Sequence, residues 1–324
     1  MRAVLCRRFG TISDLELADI PAPTPGPDEA VVRIKAAALN FFDTLIIAGK
    51  YQHKPPFPFS PAAEFSGVVE SVGSGVTGVA PGDRVMGNIG WGAAREAVAI
   101  PADQLVKIPD TLDFDRAAGL TVTYGTTLYA LRVRAGLKPG ETLAVLGASG
   151  GTGLAAVEIG KIMGARVIAC ASSDDKLAFA RDHGADETVN YASEDLRGAL
   201  KKLGGEHGVD VVYDPVGGAY AEPAVRALAW EGRYLVVGFA AGEIPKLPLN
   251  LVLLKSCDIR GVLWGAWIKR EPKGQQALMK DIVQWCAQGK LSAHVHAVYP
   301  LTDIAAALNA IADRKVMGKI LLKP

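Results

Sequence analysis

The spacing of apolar residues changes near residue 139, and the change divides the chain into two kinds of structure. Before that point, short alternating runs such as residues 30–34 and 65–72 lie between turns rich in glycine and proline. Residues 21–27, which contain four prolines, cannot form a helix because each proline ring fixes φ and removes an N–H donor. Short strands between such turns predict an antiparallel, barrel-like β unit.

After residue 139, apolar strands alternate with helical patterns. The runs that resemble strands are residues 142–146, 165–170, 187–191, 209–213, 233–237 and 259–263. The helical patterns between the first of them cover residues 154–163, 176–183 and 195–203. This alternation is typical of a doubly wound parallel sheet, so the fold class is α/β.

The last part of the chain returns to the first unit. Residues 275–287 and 303–312 have helical patterns, and residues 295–298 and 319–322 have strand patterns. We therefore expect one domain from residues 1–122 and 265–324, and a second from residues 123–264. A chain of 324 residues is longer than one compact core usually supports.

Composition and charge exclude several classes of protein. Hydrophobic residues make up 49% and charged residues 21%, which excludes disorder, and the net charge of +1 favours neither nucleic acid nor an anionic membrane as a partner. The four cysteines lack the spacing of metal ligands or of a disulfide framework. Neither a signal-peptide core nor a membrane span is present, so a cytoplasmic location is the default expectation.

A turn rich in glycine lies between the strand at 142–146 and the helix that follows. Residues 147–153 read Gly-Ala-Ser-Gly-Gly-Thr-Gly, a variant of the G-x-G-x-x-G spacing. Residues without Cβ let a diphosphate approach the backbone, and a helix N-terminus supplies N–H groups and partial positive charge. The turn therefore predicts dinucleotide binding. The alternative is a turn that only lets a helix pack tightly on a strand.

The end of the second strand bears on the choice of cofactor. Ser172 and Ser173 follow this strand, and Lys176 comes one turn later. Hydroxyl groups and a lysine suit a 2′-phosphate, which favours NADPH, whereas NAD-binding folds hold the ribose with an acidic residue at this point. Asp174 and Asp175 follow at once and keep NAD open. These residues also suit a simple helix cap.

Motifs along almost the whole chain resemble the medium-chain dehydrogenase/reductase superfamily, and within it the zinc-independent quinone oxidoreductase family, which includes zeta-crystallin. The matching stretches are residues 40–43 (NFFD), 49–51 (GKY), 64–69 (EFSGVV), 81–85 (PGDRV), 147–153, 190–191 (NY), 214–218 (DPVGG) and 318–319 (GK). The resemblance implies a GroES-like, partly open β-barrel as the catalytic domain and a Rossmann domain for the cofactor.

The chain departs from zinc alcohol dehydrogenases at the metal ligands. Asn40 stands where those enzymes carry a cysteine, and Ala63 stands in place of the histidine before Glu64. Catalytic zinc needs three protein ligands, so we expect no metal site. Glu64 is then interpreted as a structural, hydrogen-bonded acid. His294 and His296 lack a third ligand and are interpreted as a surface pair.

The resemblance implies hydride transfer from C4 of NADPH, and it assigns residues to each part of the cofactor. The diphosphate residues are Ser149, Gly150, Gly151, Thr152 and Gly153. The adenosine phosphate faces Ser172, Ser173 and Lys176, with Tyr191 nearby and Lys319 as a further phosphate candidate. The groove is lined by Gly218, Gly238, Phe239 and Ala240, and the nicotinamide is flanked by Leu263 and Trp264.

Three residues are candidates for the reaction centre. Asn40 can hydrogen-bond a substrate oxygen or the nicotinamide ribose. Tyr51 can donate to a developing oxyanion, although a phenol of ordinary pKa is a poor acid at neutral pH, and a packing role over the cofactor is the alternative. Thr126 is expected to hold the nicotinamide rather than take part in the chemistry.

Three functions remain open on this reasoning. The first is an NADPH-dependent quinone oxidoreductase, since quinones delocalise the product charge and need no zinc. The second is an enoyl or alkenal reductase that acts on an α,β-unsaturated carbonyl or an acyl-CoA. The third is an NADPH-binding protein with little turnover. The resemblance also implies a homodimer, with residues 259–263 as the pairing edge.

Overall fold

The computed structural model describes residues 1–324 and divides into two compact units. Unit 1 contains Met1–Val122 and Met279–Pro324, and unit 2 contains Thr123–Leu278. The boundary between Leu278 and Met279, where the chain returns to unit 1, lies later than the expected boundary after residue 264. Contacts inside unit 2 explain the difference, because the ring of Trp267 stacks on that of Tyr129 with centroids 4.5 Å apart.

Fifteen strands were assigned. In chain order they are β1 (Arg2–Leu5), β2 (Glu16–Asp19), β3 (Glu29–Leu39), β4 (Glu64–Val72), β5 (Arg84–Asn88), β6 (Ala97–Pro101), β7 (Leu105–Lys107), β8 (Thr142–Leu146), β9 (Arg166–Ala171), β10 (Glu187–Asn190), β11 (Val209–Asp214), β12 (Leu228–Val236), β13 (Asp258–Gly261), β14 (Val295–Pro300) and β15 (Lys319–Lys323).

Eleven α-helices were assigned, and a π-helix at Tyr129–Ala135 follows the third of them. They are α1 (Phe41–Ile47), α2 (Phe114–Ala118), α3 (Leu120–Leu128), α4 (Gly151–Ile162), α5 (Asp174–Asp182), α6 (Leu196–Gly204), α7 (Ala221–Ala227), α8 (Leu249–Lys255), α9 (Trp264–Arg270), α10 (Pro272–Ala287) and α11 (Ile304–Ala312). None of the helices combines the length and the apolar character that crossing a bilayer requires.

The main sheet of unit 1 has the strand order β14-β15-β3-β4-β5-β7, and β6 pairs with β3. Its pairs are antiparallel except β14 with β15, which are parallel. The long strand β3 lies between β15 and β4, with Leu39 opposite Ile320 and Ala38 opposite Glu64. This register brings the ends of three strands that are distant in sequence to one place.

The sheet of unit 2 is parallel throughout, with the order β10-β9-β8-β11-β12-β13. Its strands are continuous apolar runs because they are buried: Leu143, Ala144, Val145 and Leu146 of β8 are fully buried. The chain proceeds from β8 toward one edge and from β11 toward the other. Such a reversal of strand order marks the carboxyl ends of β8 and β11 as the place where ligands bind. The expected α/β fold class is confirmed.

Candidate functional site

Two glycines of the turn after β8 are required by the fold itself. Gly147 adopts a φ of +62°, which disfavours residues with side chains. A Cβ on Gly153 would lie 2.0 Å from the carbonyl oxygen of Gly147, so only glycine lets α4 pack this closely on the strand. The alternative reading of the turn, tight packing of a helix on a strand, therefore accounts for these two positions.

Gly150 has no such structural reason. Its φ of −74° is open to any residue, and a Cβ there would approach only the Gly147 carbonyl oxygen, at an ordinary 3.6 Å. It is also the N-cap of α4, where no side chain caps the first N–H groups. Those groups have no acceptor within a helix, so they remain for a ligand. The space at Gly150 and the N–H groups of residues 151–153 fit a diphosphate.

The end of β9 places hydroxyl and amine groups together. Ser172 is exposed, and the Nζ of Lys176 lies 3.5 Å from its Oγ. Ser173 is the N-cap of α5, but its side chain makes no capping hydrogen bond. The Oδ1 of Asp174 accepts a 2.8 Å hydrogen bond from Asn190 Nδ2. Asp174, one of the two carboxylates that follow the strand, is thus bonded to a neighbouring side chain, while the hydroxyls and the ammonium lie at the strand end.

The loops that follow β11 and β12 lie at the carboxyl ends of these strands, and hydrogen bonds join the two loops. The N–H of Ala240 donates to Pro215 (3.0 Å), and that of Gly218 donates to Glu243 (3.1 Å). Residues 218 and 238–240, which were expected to line the groove, therefore lie in one connected surface. Tyr191 donates its backbone N–H to Ala171 at the end of β9 (3.1 Å).

Buried Asp214 organises the loop after β11. Its Oδ1 accepts the backbone N–H groups of Val216 (2.7 Å) and Gly217 (2.8 Å), and its Oδ2 accepts the hydroxyl of Tyr234. Burial raises the pKa of this carboxyl, whereas the Tyr234 and backbone hydrogen bonds oppose the shift. The partnership of Tyr234 with Asp214 has no signal in the sequence, because it depends on the pairing of β11 with β12.

The two residues expected beside the nicotinamide have different environments. Leu263 is 54% exposed, whereas Trp264 is buried and its Nε1 donates to Gln275 (3.0 Å). The indole N–H of Trp264 is therefore already used within unit 2. Leu263 is accessible, and the contacts of Leu263 and Trp264 with the nicotinamide stay predictions.

Thr126 and its neighbour Thr127 also differ. Thr126 is half-buried on α3. Thr127 is fully buried; its Oγ1 lies 2.9 Å from the hydroxyl of Tyr213 and 3.3 Å from the carbonyl oxygen of Thr152, to which it donates. Thr127 thus ties α3 to the glycine turn. No local sequence signal marks Thr127, because only the fold brings Tyr213 of β11 to this helix.

A buried polar cluster in unit 1 joins Asn40, Glu64 and Lys319. The ammonium of Lys319 donates to Leu39 O (2.9 Å), Asn40 Oδ1 (2.7 Å) and Glu64 Oε1 (2.9 Å). Asn40 Nδ2 donates to Glu64 Oε1 (3.0 Å), and Val122 N donates to Glu64 Oε2 (2.7 Å). Glu64 is therefore a hydrogen-bonded acid, in agreement with its interpretation from sequence.

The position of Lys319 differs from its expected role at a 2′-phosphate. Lys319 is only 4% exposed. Its ammonium has three N–H donors, and each of them has an acceptor in unit 1. The sequence does not show that β15 pairs with β3, and this pairing places the Lys319 ammonium among the acceptors of unit 1. The structure thus corrects this assignment.

Asp43 and Tyr51 lie near the cluster and have shifted pKa values. Burial raises the pKa of Asp43 to about 7, although the N–H of Asn40 and the charge of Lys319 oppose the shift. The pKa of Tyr51 is raised by burial and by the charge of Asp43. Its ring stacks on Phe42 with centroids 5.5 Å apart. Tyr51 therefore stays protonated at neutral pH.

No group of three or more His, Cys, Asp or Glu side chains has an arrangement that could hold a metal ion. Comparison with known proteins then identifies the family. Residues 26–110 match the model of the alcohol dehydrogenase GroES-like domain, and residues 151–281 match that of the zinc-binding dehydrogenase. The rat quinone oxidoreductase-like protein 2 is 41% identical over 303 residues, which cover 93% of this chain and 87% of the relative.

The chain belongs to the zinc-independent quinone oxidoreductase family. The quinone oxidoreductase of Pseudomonas aeruginosa is another relative, 33% identical over 98% of this chain and 97% of its own. The crystal structure of Escherichia coli quinone oxidoreductase complexed with NADPH covers all of both chains at 29% identity with a TM-score of 0.93. The expected membership of this oxidoreductase family is confirmed.

Proposed function

We propose that this protein is an NADPH-dependent quinone oxidoreductase that works without zinc. The observation that carries the proposal is the end of β9, where Ser172, Ser173 and Lys176 suit a 2′-phosphate while Asp174 is bonded to Asn190. A ribose 2′-hydroxyl would instead call for a carboxylate that accepts a hydrogen bond from it. The NADPH complex of the Escherichia coli relative supports the same choice of cofactor.

The residues of unit 2 would hold the cofactor through its phosphates. The N–H groups of residues 151–153 would bind the diphosphate, and the space at Gly150 admits it to the backbone. Thr127 keeps the turn in place through its bond to Thr152. When bound, NADPH supplies a hydride from C4 of its nicotinamide; the protein contributes binding and orientation.

Asn40 and Tyr51 would supply hydrogen bonds to the acceptor. Both would donate: Asn40 through an N–H of its amide, and Tyr51 through a hydroxyl whose pKa is raised by burial. Donors that do not release protons readily suit a quinone, because the anion formed on reduction spreads its charge over the ring. Saturation of a carbon–carbon double bond also needs a proton at carbon, for which an acid is required.

Lys319 supports the proposed independence from zinc. Its ammonium lies among Leu39 O, Asn40 Oδ1 and Glu64 Oε1, so a positive charge of the protein itself already occupies this set of oxygen atoms. Asn40 and Ala63 stand where zinc-dependent relatives carry metal ligands. Carbonyl polarisation would therefore come from hydrogen bonds.

We further propose that the protein is a homodimer that pairs through β13, one of the two edge strands of the unit 2 sheet. An antiparallel pair centred on Ile259 places Asp258 of one copy opposite Arg260 of the other. Three exposed leucines of α8 add apolar surface in the same unit: Leu249, Leu253 and Leu254. Light scattering should give twice the mass of one chain, and Ile259→Lys should yield a monomer; a monomeric wild type contradicts the dimer.

The test of function follows nicotinamide absorbance with purified protein. NADPH or NADH is offered with a benzoquinone and, separately, with an α,β-unsaturated aldehyde. We expect turnover with NADPH and quinone. Faster turnover of the aldehyde would identify the protein as a double-bond reductase. A preference for NADH would contradict the proposed role of Ser172 and Ser173. Tight NADPH binding without turnover of either acceptor would favour an NADPH-binding protein with little turnover.

A further inference from the structure

The path of the Lys319 side chain is built into unit 1. A Cβ on Gly119 would lie 3.0 Å from Lys319 Cγ and 3.3 Å from its Cε, so the absence of a side chain at Gly119 makes room for the lysine stem. The stem leads the ammonium to Asn40 and Glu64, where all three N–H donors are accepted. Burying a charge is costly unless it is paired in this way.

The ammonium determines which way the amide of Asn40 points. An ammonium can only donate, so the atom of Asn40 that faces it at 2.7 Å must be the oxygen. The nitrogen then faces the carboxylate of Glu64, which can only accept, at 3.0 Å. Nδ2 has two hydrogens and uses one on Glu64. Asn40 therefore offers one N–H donor to a ligand.

We propose that Lys319 is a positioning residue that fixes the amide of Asn40 so that an N–H, and not the carbonyl oxygen, meets the oxygen of the electron acceptor. The inference rests on the proposed function, in which Asn40 donates to a quinone oxygen. Without the ammonium, Oδ1 has no donor, and only the single bond from Nδ2 to Glu64 holds the amide. The amide can then rotate about that bond, so that its second N–H no longer points at the acceptor oxygen and the acceptor is less polarised.

This role predicts different kinetics from a contact with the cofactor phosphate. A phosphate contact acts on cofactor binding, so its loss raises KM for NADPH and reduces the preference over NADH. A positioning residue for the acceptor acts in the transition state, so its loss lowers kcat and leaves the cofactor preference unchanged. The two roles are therefore separable in one set of measurements.

The experiment compares wild type, Lys319→Ala and Lys323→Ala in steady state with NADPH or NADH and a benzoquinone. Lys323 is the matched control, because it lies on the same strand and loses the same charge, but its side chain is 43% exposed. We expect Lys319→Ala to lower kcat by about 10- to 100-fold, the range that follows misplacement of a group at a reaction centre. KM for NADPH should stay unchanged, and Lys323→Ala should match wild type.

Chemical rescue tests whether the N–H donors of the ammonium are what is missing. Ethylammonium fits the space left by Lys319→Ala and can donate to Asn40, whereas tetramethylammonium has the same charge and no N–H. We expect ethylammonium to raise kcat toward the wild-type value and tetramethylammonium to have no effect. Equal effects of the two cations would overturn the proposed role of the donors.

A second variant guards against loss of folding, because Lys319→Ala leaves Glu64 buried without its partner. Lys319→Met combined with Glu64→Gln removes both charges and keeps the volumes similar, which is often tolerated. We expect this double variant to unfold near the wild-type temperature and still to have a low kcat. A stable double variant with wild-type kcat would overturn the inference, since Lys319 would then serve only charge balance.

The same data separate the inference from the function on which it rests. An active wild type with an unchanged kcat in Lys319→Ala contradicts the inference alone, as does a variant whose only change is a higher KM for NADPH. A wild type idle with quinone but active with the α,β-unsaturated aldehyde contradicts the proposed acceptor, and the variants are then compared with the aldehyde. A wild type idle with both acceptors contradicts both proposals.

Discussion

The glycine turn of unit 2 and the polar cluster of unit 1 are built in opposite ways. The turn consists of seven consecutive residues, 147–153, and depends on side chains that are absent. The cluster joins Asn40 to Lys319, 279 residues later in the chain, and depends on charges and hydrogen bonds that match. A local motif can be read from its spacing, whereas a cluster assembled by strand pairing appears only when the sheet is known.

The two regions also respond differently to substitution. In the turn, a close backbone contact requires glycine at position 153, whereas no protein atom requires it at position 150. The proposed functional position, Gly150, can therefore be changed separately from the structural position, Gly153. In the cluster, each member satisfies the others, and a change at one leaves a buried partner unpaired.

The largest expected effect is that of Glu64→Gln in the cluster. The amide nitrogen of glutamine cannot accept from Val122 N, and Lys319 is left as a buried charge without its carboxylate. We expect the free energy of unfolding to fall by about 3–5 kcal/mol, as measured by denaturant titration.

The matched control is Glu70→Gln on the same strand. Glu70 pairs with Arg33, and the two side chains are 37% and 49% exposed, so water replaces the lost interaction. We expect a change below about 1 kcal/mol. Equal effects of the two substitutions would contradict the view that burial makes the cluster interdependent.

The second prediction concerns two glycines of the turn. Gly153→Ala forces a Cβ to within 2.0 Å of the Gly147 carbonyl oxygen, so α4 must shift and the protein should lose about 1–3 kcal/mol of stability. Gly150→Ala should unfold like wild type but bind NADPH about 10- to 100-fold more weakly, because the new methyl group occupies the space proposed for the diphosphate. Denaturant titration and NADPH fluorescence measure the two effects.

Gly150→Ala that binds NADPH like wild type would remove the main structural support for a diphosphate at the turn. Loss of stability in Gly150→Ala would instead show that this glycine, too, is required by the fold.

The same distinction describes how far the sequence predicts the fold. The strand at residues 142–146 was predicted with the bounds of β8, because a buried parallel strand is a continuous apolar run. β12 begins at Leu228, before the predicted residue 233, since an irregular register and a φ of +58° at Glu231 interrupt its pattern. The parallel pairing of β14 with β15 has no signal in either strand.

For the candidate site, the sequence identified the residue types better than their partners. Asn40 and Glu64 were recognised because they replace or flank metal ligands in related proteins, yet their bonds to Lys319 depend on the register of β3 with β15. The resemblance suggests a cofactor contact for Trp264, but the bond from its indole N–H to Gln275 has no signal in the sequence. Partners across a fold need the three-dimensional structure.

The third prediction uses pH to probe Asp43 beside the cluster. Burial raises its pKa to about 7, above the value near 4 of an unfolded aspartate, so the folded state holds its proton more tightly. Its contribution to stability is therefore full below about pH 4 and is lost as the pH rises to about 7. We expect the free energy of unfolding to fall over this window by at most about 1.4 kcal/mol per pH unit.

Asp43→Asn does not titrate, so this part of the pH dependence should disappear in the variant. Its absolute stability should be lower at acid pH, because an amide nitrogen cannot accept the N–H groups of Asn40 and Ala62 as the carboxyl does. An identical pH dependence in wild type and variant would show that Asp43 keeps an ordinary pKa.

The smallest expected effect is that of Lys176→Ala at the end of β9, where the proposed phosphate contact lies near the surface. Loss of one charged hydrogen bond to a 2′-phosphate should raise KM for NADPH about 10-fold and leave KM for NADH unchanged, because NADH has no phosphate there. Lys202→Ala, an exposed lysine of α6, is the control for charge and should change neither value. Equal losses with both cofactors would mean that Lys176 supports α5 and does not recognise the phosphate. Lys176 lies close in sequence to the glycine turn, whereas the Lys319 cluster is assembled from distant parts of the chain. A selective effect of Lys176→Ala on NADPH, together with an unchanged cofactor preference in Lys319→Ala, would assign the choice of cofactor to the end of β9. The cluster around Lys319 would then act on the acceptor and not on the cofactor.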